Sequence, residues 1–159
     1  MIRKIGIYLI TIILFSQCGF TAIYSEKSNV VESDYETVLV SENSLAVKEA
    51  FRSIFRNSNK QSNYQLKINI IEQDLPIVTN SDGTIAKYRI DITTNFILYD
   101  TLKEREIFSD YSKGFAQYET QINNYDTEQK RDEAKQIATS NSLQMIPIKI
   151  QNFQSREVE

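Results

Sequence analysis

Histidine and tryptophan are absent from this chain, and cysteine occurs once among its 159 residues. Without histidine there is no Ser-His-Asp triad, no Cys-His pair and no imidazole metal site. A single cysteine excludes an internal disulfide and a zinc ribbon. None of the four glycines belongs to a phosphate-cradling loop, and no acidic run has the spacing of a calcium loop. Carboxylates, lysines, tyrosines and hydroxyls remain, but their spacing marks no catalytic site. Asp132 and Glu133 are adjacent on a helical pattern and point in different directions, so they form no acid–base pair. The expectation is a non-catalytic protein with no cofactor and no metal.

What is present begins with a leader. Arg3 and Lys4 precede an apolar run from Ile5 to Phe15, followed by Ser16-Gln17-Cys18. Eleven residues at about 1.5 Å each cover only half a bilayer core, too short for a spanning helix and right for a secretory signal. Cys18 stands where a bacterial lipoprotein signal places its acylated residue. Gln17 is larger than the residue usually preceding that cysteine, so a free thiol beside an ordinary cleavage point stays open as the other reading. Acylation would remove the liability of an unpaired thiol in an oxidising compartment, and two or three acyl chains make a durable anchor. Cleavage before Cys18 removes Arg3 and Lys4, leaving 16 of the 18 basic residues against 21 acidic ones, so the charge of −3 becomes −5. An acidic domain without clustered cations is a poor nucleic-acid binder.

Residues 18–35 read as a lipid-anchored tether, and 36–155 as one domain. Thr37 to Val40 is short, β-branched and apolar, hence a first strand. Asn43 or Ser44 caps a helix whose apolar stripe is Val47, Ala50/Phe51 and Ile54/Phe55; Asn57-Ser58-Asn59 stops it. Tyr64, Leu66, Ile68 and Ile70 alternate with polar residues, a strand with one buried face. Pro76 and Asn80-Ser81-Asp82-Gly83 form the connection to the next strand. There, Ala86, Tyr88, Ile90, Ile92, Thr94, Phe96 and Leu98 face one way, with Lys87, Arg89, Asp91, Thr93 and Asn95 facing the other. Ile107 to Phe115 is a last strand of poorer alternation ending near Gly114. Asp126 as N-cap, with Gln129 three residues on, opens a second helix with a stripe of Ala134, Ile137/Ala138, Asn141, Met145 and Ile148. Pro147 kinks or breaks it, although Ile146, Ile148 and Ile150 also permit a short strand. The pattern predicts an α/β (α+β) two-layer sandwich, two helices on a four-stranded mixed or antiparallel sheet, in the order β-α-β-β-β-α.

Several stretches resemble one known family. Cys18-Gly19-Phe20-Thr21-Ala22-Ile23-Tyr24, the helix ending Phe51-Arg52-Ser53-Ile54-Phe55-Arg56-Asn57, the turn into Asp82-Gly83-Thr84-Ile85-Ala86-Lys87-Tyr88-Arg89-Ile90, Phe96-Ile97-Leu98-Tyr99-Asp100 and Asn124-Tyr125-Asp126 are similar to the alphaproteobacterial lipopolysaccharide-assembly lipoproteins, the LptE family. The resemblance implies an outer-membrane lipoprotein attached through Cys18 and facing the periplasm. It implies that this lipoprotein plugs and helps assemble a β-barrel lipopolysaccharide translocon of the LptD type, and binds lipopolysaccharide during insertion into the outer leaflet. Gly19, where an inner-membrane retention signal would place aspartate, agrees with outer-membrane sorting by analogy. A lipid-anchored periplasmic adaptor that binds protein or peptidoglycan outside any barrel is the alternative.

An acidic domain could hold an anionic lipid only through a few local cations. Lys87 and Arg89 share one face of the longest strand, with Lys67 expected beside them on the neighbouring strand; these are the candidate contacts for lipid phosphates. The plainer reading is a solvated sheet face with Asp91 and Glu72 as ion-pair partners. The nine tyrosines suit either a core or an interface, having an apolar body and a polar tip.

Overall fold

Alternation of side chains builds the sheet. In the computed structural model, which describes residues 35–56 and 62–156, β1 (Glu36–Leu39) lies parallel to β2 (Tyr64–Thr79). Antiparallel pairing then joins β2 to β3 (Ile85–Asp100) and β3 to β4 (Arg105–Glu119), giving the order β1-β2-β3-β4. Helix α1 (Leu45–Ile54) links β1 to β2, and α2 (Asn124–Leu143) and α3 (Met145–Arg156) follow β4. This is the expected α+β sandwich in the expected order, its last helix in two pieces. The leader, Cys18, the tether as far as residue 34 and the stop at Asn57-Ser58-Asn59 lie outside the described residues. Tyr35, expected in the tether, is buried with the core.

The helices cover one face. Leu66, Ile68 and Ile70 of β2 and Ile90, Ile92, Phe96 and Leu98 of β3 are buried there, against Val47 of α1, Ala134, Ala138 and Leu143 of α2, and Ile146 and Ile150 of α3. The alternation expected for β3 holds in phase, down to Thr94. That hydroxyl accepts from Ser142 Oγ at 2.7 Å, and Ser142 in turn lies 3.1 Å from Ser112 Oγ, a buried polar stitch between α2 and the sheet.

Several expectations are corrected. Pro76 is not in the connection but inside β2, opposite Tyr88. Backbone groups alternate between the two edges of a strand. Ile68 and Ile70 turn theirs toward β1 and the loop after it (Val40 N–H donates to the Ile68 carbonyl, Ile70 N–H to Ser41 Oγ), so the missing N–H of Pro76 falls on the same edge, beyond the end of short β1, where no partner needs it. The turn itself is as read: Gly83 has φ +86°, and Asp82 accepts from the amide and hydroxyl of Thr84. β4 does not end near Gly114 but continues to Glu119. Asn123, not Asp126, caps α2, its side-chain oxygen accepting from the Tyr125 amide at 3.0 Å.

The stripe of the last helix is also rotated. Ile137, Asn141, Met145 and Ile148 are exposed, while Thr139, Ser142, Leu143, Ile146 and Ile150 are buried with Ala134 and Ala138. A helix lying tightly on a sheet buries its smallest side chains, so the apolar pattern misplaced the contact. Pro147 sits in the first turn of α3, where its lost N–H has no helical acceptor to miss; the helix is broken at Gln144.

Candidate functional site

The face of the sheet turned away from the helices is the candidate site, because along distal β2 and β4 its pattern is inverted. In the distal half of β2 the side chains directed at the helix layer are Glu72 and Asp74. Leu75 and Ile71 point outward, and they and Val78 are 41%, 44% and 46% exposed. In β4 the inner positions are Ser112, Gly114 and Ala116, and the outer ones include Tyr111 and Phe115, 54% and 56% exposed. Burying large apolar groups is favourable by about 1.5–3 kcal/mol each. Where distal β2 and β4 turn charged and small residues inward and aliphatic and aromatic ones outward, the sheet is suited to a second surface.

The inner charges of distal β2 are paired with the helices. Lys135 of α2 reaches Glu72 at 3.1 Å, and Glu72 also receives the Ser44 amide at 3.2 Å and the Ser44 hydroxyl at 3.3 Å. Ser44 is the N-cap of α1 as expected, but the bond at that terminus runs from its amide to the β2 carboxylate. Burial works to raise the Glu72 pKa. The Ser44 amide and Lys135 outweigh it and hold the carboxyl below its ordinary value. One step further out, Arg131 pairs with Asp74 at 2.8 Å, and the Tyr118 hydroxyl donates to Asp74 at 3.1 Å while its ring stacks on Tyr88. Burial, with the Asp74 charge beside it, pushes the Tyr118 phenol well above its ordinary range.

On the open face the three expected cations separate into two groups. Lys87 and Arg89 share the face, as read, but each has an acidic partner: Lys87 meets Glu119 at 3.0 Å, and Arg89 meets Asp91 while its guanidinium lies 4.4 Å over the Phe115 ring. Lys67 is not beside them. It pairs with Ile97 whereas Arg89 pairs with Leu75, so at about 3.3 Å per residue they stand roughly 26 Å apart. Its ammonium lies 4.3 Å over Tyr99. Glu72 faces the helices and is no partner for this surface. Lys113 was not singled out from the sequence. It forms no ion pair among the described residues, and its ammonium is 5.7 Å over Tyr111. The alternation Tyr111, Lys113, Phe115 marks it, but the small residues between them hide the strand's phase. Hollows of about 320 and 510 Å³ border Lys87 and Glu119, both open to solvent.

No protein-family model matches this chain, and no curated protein sequence does. Solved structures do share its fold. A Caulobacter crescentus protein described as a lipoprotein aligns with a TM-score of 0.64 at 13% identity over 82% of this chain and 97% of its own. Rare lipoprotein B from Shewanella oneidensis aligns with a TM-score of 0.53 at 12% identity, covering 76% and 98%. A minor lipoprotein from Acinetobacter baumannii aligns with a TM-score of 0.56 at 12% identity, covering 76% and 91%. The fold is therefore one found among bacterial lipoproteins. No described helix is long and apolar enough to cross a membrane.

Proposed function

We propose that this chain is a non-catalytic lipoprotein of the outer membrane, anchored through Cys18. It plugs and helps assemble a β-barrel lipopolysaccharide translocon of the LptD type, and binds lipopolysaccharide during insertion. The observation that carries the reading is the inverted sheet face, with Ile71, Leu75, Val78, Tyr111 and Phe115 turned outward. The leader ending at Cys18, the resemblance to the lipopolysaccharide-assembly lipoproteins and a fold found in other lipoproteins support it. A barrel lumen offers a wall of alternating side chains against which such a face can pack. Cations spaced among apolar groups suit a phosphorylated acyl lipid, through charge-assisted hydrogen bonds beside apolar contact.

The deciding experiment is purification of the tagged chain from detergent-solubilised envelopes. A large β-barrel protein in stoichiometric amount is expected. Its absence would leave the chain a lipid-anchored adaptor working outside any barrel.

A further inference from the structure

The two long edges of the sheet are finished differently. Beyond β1, the β2 edge is interrupted by Pro76, and the side chains of Ser41 and Asn43 bond the Ile70 amide and carbonyl. The β4 edge is closed only at its ends. Thr120 N–H donates to the Ala86 carbonyl, so even-numbered residues of β4 bond β3 and odd-numbered ones turn their backbone groups outward. Among these, the Tyr111 amide is taken by Asp110 Oδ1 at 2.7 Å and the Glu119 carbonyl by Gln121 Nε2 at 3.2 Å. Between those two caps, the outward amides and carbonyls of Lys113, Phe115 and Gln117 have no partner among the described residues. An unpaired, extended edge of this kind is a template for another strand.

We propose that this window on β4 receives an extended segment of another polypeptide by main-chain hydrogen bonding. Side chains of the guest next to Tyr111, Lys113 and Phe115 follow the pattern apolar, acidic, apolar. Lys113, which has no ion pair among the described residues, supplies the charge complementarity, and the two exposed rings supply the flanking contacts. The guest is not a second copy paired antiparallel through the same edge about a two-fold axis. At Gly114 the backbone of α2 lies directly over β4, so close that a Cβ would overlap the Ala138 carbonyl and stand 2.7 Å from the Ser142 amide. Strands pair about 4.8 Å apart, whereas packed helices need about 8–10 Å, so two copies would drive their α2 helices into each other. A lone strand brings no second helix. The proposal rests on the unpaired backbone of this edge rather than on the barrel and lipid reading above, although Tyr111, Lys113 and Phe115 figure in both.

The test uses the purified full chain in a non-ionic detergent and an end-blocked peptide with Val-Thr-Glu-Thr-Val at its centre. Amide exchange of Lys113, Phe115 and Gln117 is expected to be fast in the chain alone and slow with saturating peptide. Gln117→Pro removes one outward N–H and leaves the β3 ladder intact; it should weaken binding about fivefold, the worth of one hydrogen bond. Lys113→Glu should lose about threefold for this peptide and gain as much for one carrying Lys in place of Glu; it leaves the backbone alone and serves if the proline variant fails to fold. Edge amides already slow in the chain alone would mean that its own N-terminal segment fills the window. Protection growing with protein concentration would mean self-association. Either result, or exchange unchanged by saturating peptide, overturns the proposal.

Discussion

Gly114 of β4 and Ala138 of α2 touch backbone to backbone: a methyl group on Gly114 would overlap the Ala138 carbonyl oxygen. The close seat brings Ser142 within hydrogen-bond distance of both Thr94 and Ser112 and sets α2 squarely on β4.

Gly114→Ala should therefore destabilise the fold by about 3 kcal/mol, the upper end of what overpacking costs, since the obstacle is backbone that cannot rotate away. Chemical denaturation of the two proteins measures it. Gly83→Ala, at a φ of +86° with open space around it, should cost only about 1 kcal/mol through backbone strain. Equal losses at the two sites would mean that α2 is free to move off the sheet.

The Glu72 carboxyl titrates below its ordinary value of 4.5 in the folded chain, so the folded state takes up its proton less readily than the unfolded one. Its contribution is complete above 4.5 and is lost as the pH falls through the depressed folded value. Glu72→Gln should lower stability near neutral pH by roughly 1–2 kcal/mol, through loss of the Lys135 and Ser44 bonds, and flatten the acid limb of the stability curve. An acid limb identical to that of the parent would show that other carboxylates set it.

The sheet could be read from the sequence because β3 alternates without interruption and its turn carries Asp82-Gly83. Both are local signals. What escaped was set by contacts between elements. The phase of α2 is governed by close approach at Gly114 rather than by apolar bulk, which is why Ile137 is exposed while Ser142 is buried. The length of β2 depends on short β1 leaving an open edge where Pro76 costs nothing. The candidate site was half visible: Lys87 and Arg89 share a face as expected, but the ion pair to Glu119 needs the β3–β4 register. Lys113 was masked by a strand whose large residues face outward.

The same register ranks the cations for lipid binding. Lys87 and Arg89 must each leave a carboxylate before meeting a phosphate, whereas Lys113 and Lys67 leave only a ring. Replacing Lys113 and Lys67 together by Gln should weaken lipopolysaccharide binding more than replacing Lys87 and Arg89 together by Gln. The difference should be greatest at low salt, since exposed charges are screened beyond about 8 Å at physiological ionic strength. Binding to purified lipopolysaccharide at two salt concentrations tests it, and equal loss in the two pairs would return the contact to the face as a whole.

Cys18→Ala should abolish acyl labelling and leave the chain without its lipid anchor, while a domain seated in a barrel would stay with it. Intact-mass measurement of the wild-type mature chain is the direct check. A chain starting at Cys18 and carrying acyl mass is expected; cleavage elsewhere without acyl mass would show that Gln17 defeats lipoprotein processing.

The last prediction separates folding from assembly on the open face. Leu75 and Val78 are 41% and 46% exposed, turned away from the helices and outside the core cluster. Replacing both by Ser should shift stability by no more than about 0.5 kcal/mol per site, the usual range for surface positions. In the assembled state the same side chains would be buried, and removing them should reduce recovery of the barrel protein with the tagged chain. Thermal melting of the purified chain and the yield of barrel protein in parallel purifications give the two readouts. Loss of stability with recovery unchanged would mean that these residues serve the core after all, and the inverted face would no longer point to a partner.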